Sequence, residues 1–497
     1  MKILPEYYFS HLNLLVYTIF FTICIILISS LGPQTYSEST GLNSSIILSN
    51  TSLDSINPEF SVSNNTIYAV WISNLNPKNS EVLFKKVDNN SMSFSSTVNI
   101  SNTTGISNLV KLSSTEDNVY VIWEDKQVDK WQLLFSKSDN KGIKFGTVTP
   151  LSNDIGNVHL HDLSSADNNV FVSWAANENI SSSNKEIYFR KSNDSGDSFN
   201  DVLNLSNDKD DSLDPHMVIN QNGSIIYIVW TKCDTKHDDP TCSIAFAQSL
   251  DQGNSFTTSK IINTGKFLPQ RSNSTSLSDT VFSSNSNKIP LHLLLNNLTV
   301  NEEIASINPT VFTTSEGNQV YVLWEQSTFG KGDSELFLTS SNDYGNSFNS
   351  TINISNSSGT SRLAHGHLLG EDLYVTWVDT LNQSGTFDVM LRKIDPKNQL
   401  GEVLNLSNTP GNSVSPYLWI NDNQIYVTWT ENSNDSSVVL SIIDIFGSTV
   451  TKKIVKSDQT DVYTNPMIFD TEDKLWIAWT ESNKDVNRIV LVDQDRR

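Results

Sequence analysis

Eight short runs of β-branched and aromatic residues, each ending in tryptophan, recur along this chain at a nearly fixed distance. The tryptophans are Trp71, Trp123, Trp174, Trp230, Trp324, Trp377, Trp429 and Trp479, in runs such as VYVIW and IYVTW. Six of the seven intervals span 50 to 56 residues, and the other spans 94. A period of about fifty residues built from β-type runs is typical of propeller blades, because each repeat buries its faces against its neighbours.

Each repeat contains four strand-like runs, which we call the first strand, the Trp strand, the third strand and the fourth strand. First strands begin about fourteen residues before the tryptophan, and five of them begin at a proline, where no ladder bond is lost: Pro58, Pro215, Pro309, Pro416 and Pro466. The last repeat ends without a fourth strand, whereas residues 45–50 (SIILSN) resemble a fourth strand with no repeat before it.

These ends predict how the ring closes. We expect an all-β fold, an eight-bladed β-propeller of four-stranded antiparallel blades, in which the N-terminal strand completes the last blade and so removes two open edges. One hydrophobic N-terminal helix precedes the propeller, because residues 12–31 are apolar enough to cross a bilayer. Residues 1–37 are then a signal peptide or an N-terminal membrane anchor, and residues 38–497 are the propeller. The long interval indicates a Ser/Asn-rich insertion at about residues 264–304.

Charge and cysteine content bound the location and the partners. The net charge of −22 argues against nucleic acid and against docking on an anionic membrane surface. Cys233 and Cys242 bracket a short polar loop, and we predict that they form a disulfide in an oxidising compartment. Asn-x-Ser/Thr sequons, among them Asn99 and Asn204, fit a glycosylating export route, although a chain this rich in Asn and Ser also generates them by chance. We therefore expect a monomeric protein that is extracellular or at the cell surface.

Three repeats carry the same turn between the third and fourth strands: Ser192–Phe199, Ser249–Phe256 and Ser341–Phe348. In each turn an Asp accepts turn N–H groups, a Gly takes a positive φ and an aromatic residue packs beneath the hairpin. These residues are Asp194, Gly196, Phe199, Asp251, Gly253, Phe256, Asp343, Gly345 and Phe348. The pattern resembles the Asp box of sialidase-like propellers. The resemblance implies that these turns lie opposite the binding face, which the other connections build.

Several polar residues fall on that predicted binding face. Glu124, Asp125, Glu325, Asp379, Glu431 and Glu481 follow closely after the tryptophans, and His161, His216, His365 and Arg362 stand at the starts of first strands. Resemblance to sialidases implies three arginines that grip a substrate carboxylate. No arginine precedes Arg190, and only Arg271 and Arg362 fall where they could reach this face. We therefore predict no catalytic residues for sialidase chemistry.

One acidic run offers a different chemistry. Asp208, Asp210, Asp211 and Asp214 lie close together before the first strand of the fourth repeat, and clustered carboxylates are ligands for Ca²⁺. The competing interpretation is a solvated acidic loop, and no other cofactor is expected.

The sequence as a whole favours a non-catalytic binding module for a glycan, a surface partner or a cation. The alternatives are a glycoside hydrolase, exo-sialidase-like, or a lyase that uses carboxylates of the looped face, and a structural envelope protein. An enzyme should show neighbouring carboxyls in a pocket, one with a displaced pKa.

Overall fold

The computed structural model describes residues 45–49, 52–76, 78–127, 130–153, 155–177, 184–234, 241–263, 306–327, 334–381, 385–421, 424–433, 435–445, 450–458, 461–483 and 486–495. All regular structure in these stretches is β-strand. No helix within them is long and apolar enough to cross a membrane. The predicted N-terminal helix and the insertion at about residues 264–304 lie outside the described residues.

The strands are numbered β1 to β33 in chain order and follow the four-run pattern of the repeats. First strands are β2 Asp54–Ser63, β7 Ile106–Thr115, β11 Val158–Ala166, β15 Asp211–Ile219, β19 Ser306–Thr313, β23 Ser361–Leu369, β27 Asn412–Ile420 and β31 Asp461–Asp470. Trp strands are β3 Thr66–Asn76, β8 Asn118–Gln127, β12 Asn169–Asn177, β16 Ile226–Asp234, β20 Val320–Ser327, β24 Asp372–Asp379, β28 Gln424–Asn432 and β32 Lys474–Asn483. Third strands are β4 Asn79–Asp88, β9 Lys130–Ser138, β13 Lys185–Ser192, β17 Thr241–Ser249, β21 Ser334–Ser341, β25 Asp388–Ile394, β29 Ser436–Asp444 and β33 Val486–Asp495. Fourth strands are β1 Ile46–Ile47, β6 Val98–Asn99, β10 Thr149–Pro150, β14 Leu203–Asn204, β18 Lys260–Ile261, β22 Ile352–Asn353, β26 Leu404–Asn405 and β30 Val450–Asp458, and β5 Ser93–Phe94 also pairs with β4.

These strands form antiparallel meanders in the predicted order. Five sheets contain four consecutive strands each, from β11–β14 to β27–β30, and a sixth has the order β1-β33-β32-β31. A nine-stranded sheet holds β2 to β10, and a single parallel contact between Ser80 and Ile106 joins its two halves. The fold is thus all-β and built largely from four-stranded antiparallel sheets, as in a propeller.

The tryptophans that define the repeats lie between neighbouring sheets. All eight are at most 1% exposed. Trp174 of one sheet, for example, packs in one cluster with Tyr120 and Ile122 of the preceding sheet. Full burial of such a side chain stabilises the fold by roughly 1.5–3 kcal/mol. The recurring tryptophan is therefore explained by packing between sheets.

The N-terminal strand closes the structure as predicted. Ile46 pairs with Leu491 and Ile47 pairs with Val490 on β33. Leu48 is 1% exposed and packs with Trp71 near the start of the chain and with Trp476 near its end. Its backbone N–H donates to the carbonyl of Ile489 at 2.9 Å, as the residue after the fourth strand does in other repeats. The predicted pairing of SIILSN with the last third strand is confirmed.

The sequence suggested that five first strands begin at a proline. In the structure these prolines lie inside the strands instead. Pro58 is the fifth residue of β2 and lies in a β-bulge, where the register shifts between Ile56 and Glu59. Every first strand has such a shift, and the residue before the five prolines has a positive φ in each case. A bulge leaves its residues out of the ladder, so a proline there loses no hydrogen bond.

Four sequons at the fourth strands have a structural role. In the first of them the hydroxyl of Ser101 donates to the buried Glu81 carboxylate and accepts the N–H of Val82 at 2.8 Å. The amide oxygen of Asn99 accepts the N–H of Asn102 at 2.9 Å. Asn204, Asn353 and Asn405 head the same arrangement, with Ser206, Ser355 and Ser407 bound to Glu186, Glu335 and Asp388. These Asn-x-Ser triplets recur because they anchor the fourth strand to the third.

The turns after three third strands pack against the preceding sheet. Asp194 accepts hydrogen bonds from Ser192 and Ser198, which lower its pKa to about 2, and Gly196 has a φ of 82°. The ring of Phe199 lies edge-on to Phe135 of the preceding sheet, with centroids 5.0 Å apart. Asp251, Gly253 and Phe256, and Asp343, Gly345 and Phe348, repeat this geometry against Phe189 and Phe246. The aromatic residue therefore joins two sheets rather than filling the space under its own hairpin.

Cys233 and Cys242 form the predicted disulfide. They are cross-strand partners on β16 and β17, with Cα atoms 4.1 Å apart. Both are 7% exposed, and Ile307 of the next sheet packs against them.

Candidate functional site

All eight first strands line one cavity of about 510 Å³, which runs between them as a channel. Each strand contributes its bulge, in which one residue has a positive φ: Asn57, Leu109, Leu160, Asp214, Asn308, Leu363, Ser415 and Asn465. This conformation costs a non-glycine residue roughly 1–2 kcal/mol. Strained backbone persists where the surrounding structure imposes it, and bulges often re-aim side chains beside functional sites. Eight such bulges around one cavity single out the channel as the candidate site.

The residue two positions after each bulge residue also lines the cavity. These eight residues, which we call the channel ring, are Glu59, Lys111, Asp162, His216, Thr310, His365, Tyr417 and Met467. The first four are charged or ionisable, whereas the second four are mostly aromatic or apolar. The channel ring therefore has a polar half and a less polar half.

The polar half contains an ion pair. The Lys111 ammonium lies 2.9 Å from Glu59, and the two side chains are 42% and 33% exposed, so solvent reaches them. Glu59, and more weakly Asp162, raise the pKa of Lys111 against the effect of burial. Asp162 accepts backbone N–H bonds from Leu163 at 2.9 Å and from Met217 on the neighbouring first strand at 2.8 Å.

Two carboxyls that line the cavity have raised pKa values. Burial, followed by repulsion from Asp162 and Glu325, raises the pKa of Asp214 to about 6, and Lys111 opposes this shift. Burial also raises the pKa of Glu325, whose Oε1 accepts the N–H of Leu363 at 2.8 Å. Carboxyls with raised pKa values are typical of functional sites.

The less polar half has a stacked pair of rings. The ring of His365 lies over that of Tyr417, with centroids 4.0 Å apart. His365 Nδ1 accepts the N–H of Leu418 at 3.3 Å, and burial lowers the pKa of this imidazole to about 3. His216 accepts the N–H of Val311 at 3.4 Å in the same way, and burial lowers its pKa too. Both imidazoles are neutral at pH 7.

An imidazole–carboxylate pair also lies beside the cavity. His161 lines it, and its Nδ1 lies 3.5 Å from Glu124 Oε1, with side chains 1% and 6% exposed. Neither ring nitrogen of His161 has a hydrogen-bond partner among the described residues. A buried polar group without a hydrogen-bond partner lowers the stability of the fold. Packing alone therefore does not explain why His161 and Glu124 lie here.

The structure divides the predicted binding face. His161, His216, Glu325 and His365 line the cavity, and Glu124 is in contact with one of them. Arg362 instead donates to the Ser334 hydroxyl at 3.1 Å.

The acidic residues two positions after a tryptophan do not line the cavity but are bound within their own sheets. Asp379 accepts the Ser361 hydroxyl at 2.7 Å and the Trp377 indole N–H at 3.4 Å. Glu431 binds Ser413 and Trp429 in the same way, Asp125 accepts the hydroxyls of Thr103 and Ser107, and Glu481 pairs with Arg488. Because side chains alternate along a strand, these residues share the tryptophan's face between sheets, whereas Glu124 and Glu325 take the other face.

The four aspartates predicted as a Ca²⁺ site do not converge. Lys232 lies between Asp208 and Asp210, at 2.6 and 3.4 Å. Asp211 accepts the backbone N–H of Lys185 at 3.0 Å, and Asp214 lines the channel. Among the described residues, no group of three or more His, Cys, Asp or Glu side chains is placed to hold a metal ion. The bulge separates Asp214 from its neighbours in sequence by turning it inward.

No arginine in the described part of the chain lines the cavity. Arg190 and Arg392 donate to backbone carbonyls of Leu151 and Ile354, at 3.1 and 2.6 Å. Arg271 lies outside the described residues.

Sequence reasoning missed Glu59, Lys111, Asp162 and Tyr417. A signal was present, because the channel-ring residue stands twelve residues before the tryptophan in six repeats and fourteen before it in the other two. Aligning the repeats on tryptophan alone would have placed these four residues together.

The chain matches no protein-family model and no curated protein. Among solved structures it is similar to the polysaccharide lyase Uly1, with a TM-score of 0.48 and 11% identity over 78% of this chain and 89% of that one. The NanB sialidase from Streptococcus pneumoniae gives a TM-score of 0.37 and 10% identity, covering 92% and 98%. The GH93 α-L-arabinofuranosidase of Fusarium graminearum gives 0.38 and 11%, covering 69% and 95%. Similarity at this level carries no information on what this chain binds or catalyses.

Proposed function

We propose that this protein is an exported, eight-bladed propeller that acts as a binding module and takes a small, hydroxyl-rich ligand, such as the terminal sugar of a glycan, into its channel cavity. The observation that carries the proposal is the channel ring, in which carboxylates and a stacked aromatic pair line one cavity of about 510 Å³. Ligand sites are typically concave, of roughly 300–1,000 Å³, with a few convergent polar groups.

The chemistry of the cavity suits a sugar. Carboxylate oxygens such as those of Asp162 accept hydroxyl hydrogen bonds, and bonds to a charged acceptor are stronger than neutral ones. The apolar face of a sugar ring packs on an aromatic surface, which Tyr417 supplies. The tyrosine also keeps a hydroxyl at its edge for a polar contact.

Location and blade count belong to the same proposal. Eight tryptophan repeats support eight blades, with the nine-stranded sheet counted as two. The apolar residues 12–31 and the Cys233–Cys242 disulfide support export, with the propeller outside the cell. A surface glycan is then the accessible partner.

A glycan array probed with the purified protein tests this proposal, followed by calorimetry on the strongest ligand with variants. Tyr417→Ala should weaken binding about tenfold or more, because stacking on an aromatic side chain contributes about 1–3 kcal/mol. Tyr344→Ala is the matched control, since Tyr344 is 42% exposed on a turn at the opposite end of the strands. Equal binding by both variants would contradict a channel site, and an array without any ligand would favour a structural envelope role.

One observation favours a second function, hydrolysis of a glycosidic bond. Asp214, with a pKa of about 6, lines the same cavity as Asp162 and Glu325. A protonated and an ionised carboxyl are what acid and base catalysis of glycoside cleavage need. Chromogenic glycosides test this function: turnover that Asp214→Asn abolishes supports it, and turnover at the buffer level rejects it.

A further inference from the structure

The cavity holds more negative charge than its own side chains neutralise. Glu59, Asp162, Asp214 and Glu325 line it, and Lys111 is the one lysine or arginine among the described residues that line it. The Lys111 ammonium lies 2.9 Å from Glu59, and it acts on Asp162 and Asp214 only at longer range. The single ammonium of Lys111 therefore interacts with three carboxylates.

Within the described part of the chain, His216, His365 and Arg362 do not supply the missing positive charge. Burial lowers the pKa of His216 and His365, so both imidazoles stay neutral at pH 7. Arg362 lowers the pKa of Glu325 but donates its own Nε–H to Ser334, away from Asp214. Asp162 and Asp214 are therefore the least compensated carboxylates of the channel.

An independent feature indicates that a polar ligand belongs here. His161 lines the same cavity, its side chain is 1% exposed, and neither ring nitrogen has a hydrogen-bond partner among the described residues, with Glu124 3.5 Å from Nδ1. Buried polar groups in native structures nearly always have partners, and each exception asks for an explanation such as a ligand or water. A ligand with hydrogen-bonding groups at this wall would provide one.

We propose that the channel cavity recognises its ligand through an ammonium group, so that the preferred ligand is an amino sugar with a free amine rather than an acidic or N-acetylated sugar. This inference rests on the proposed function and adds the charge of the ligand. The ammonium binds between Asp162 and Asp214, and the ring of Tyr417 in the same cavity offers a π-face that attracts cations. The acidic chain, at net −22, also draws cations toward the channel mouth.

Binding should then depend on pH through Asp214. The charged groups that face it are Asp162 of β11 and Glu325 of β20, which raise its pKa to about 6 after the larger effect of burial, and Lys111 of β7, which lowers it. His216 on its own strand is neutral at pH 7, because burial lowers its pKa. As the pH falls below about 6, Asp214 gains a proton and the cavity loses one negative charge. An amine only gains protons as the pH falls, so a loss of binding at lower pH comes from the protein.

The test measures binding of the full-length protein to two oligosaccharides of equal length, glucosamine and N-acetylglucosamine oligomers. At pH 7 the glucosamine oligomer should bind at least about tenfold more tightly, the lower range for one hydrogen bond between charged groups. Asp214→Asn should remove this preference, and the preference should shrink at pH 5. Asp210→Asn is the control, because Asp210 pairs with Lys232 outside the cavity.

Equal or tighter binding of the N-acetylated oligomer would overturn the inference, as would an amine preference that survives in Asp214→Asn. A neutral glycan that binds on the array and loses affinity in Tyr417→Ala would keep the proposed function while this inference fails. The inference would also be overturned if both Asp210→Asn and Asp214→Asn lost the preference for the amine. The overall negative charge of the protein would then explain the preference without a site in the channel.

Discussion

Replacing Leu48 by alanine tests whether the N-terminal strand is part of the closed fold. Leu48 is 1% exposed and packs between the first and last Trp strands, against Trp71 and Trp476. Truncating a fully buried leucine removes about 2–5 kcal/mol, because the transfer free energy is lost and a cavity remains. Ile47→Ala is the matched control, since Ile47 is 41% exposed on the same strand and should cost less than about 1 kcal/mol.

The assay must resolve small shifts in melting temperature. For roughly 450 residues that unfold together, the entropy of unfolding is about 1 kcal/mol per degree, so a loss of 3 kcal/mol lowers Tm by only about 3 °C. Chemical denaturation should accompany calorimetry for this reason. Deleting residues 38–52 removes the whole strand and should lower Tm further than Leu48→Ala does. A Leu48→Ala protein no less stable than Ile47→Ala, or a deletion protein as stable as the parent, would refute closure by this strand.

Three further predictions concern packing and activity. Gly253→Ala should destabilise the protein by about 1–3 kcal/mol more than Gly385→Ala in denaturant melts. Both glycines have a positive φ, but a Cβ added at Gly253 would lie 2.9 Å from Phe189, whereas a Cβ added at Gly385 would meet no atom within 4 Å. Ser206→Ala should cost about 1–3 kcal/mol in the same assay, since Glu186 loses a donor inside the protein; an unchanged midpoint would contradict an anchoring role for that sequon. Hydrolysis of a fluorogenic sialoside should stay at the buffer level, and measurable turnover would overturn the interpretation of the arginines.

Much of the fold could be predicted because its determinants are local and repeated. Strands and turns are specified by a few neighbouring residues. The sequence alone therefore predicts the tryptophan period, the Asp-x-Gly turns and the extra strand at Ser45–Ser49. The bulges could not be predicted in this way. Asn-Pro at residues 57–58 is compatible with both a strand start and a bulge, and only the pairing with β3 distinguishes them.

The site was harder to predict than the fold for the same reason. A shift of one residue along a strand moves a side chain to the opposite face. Glu325 and Asp379 both follow a tryptophan closely, yet the first lines the channel and the second binds Trp377 and Ser361 within its sheet. Lys111 and Tyr417 gave no motif of their own, since their importance arises only where eight strands converge.

A crystal structure of the full-length protein with the ligand found on the array tests the channel site most directly. We predict electron density for a sugar inside the cavity, stacked on Tyr417 and within hydrogen-bond distance of Asp162 or Asp214. The His161 ring, which has no hydrogen-bond partner in the described part of the chain, should gain one from the ligand or from an ordered water. Ligand density on the turns at the opposite end, with the channel filled only by water, would contradict the proposed function.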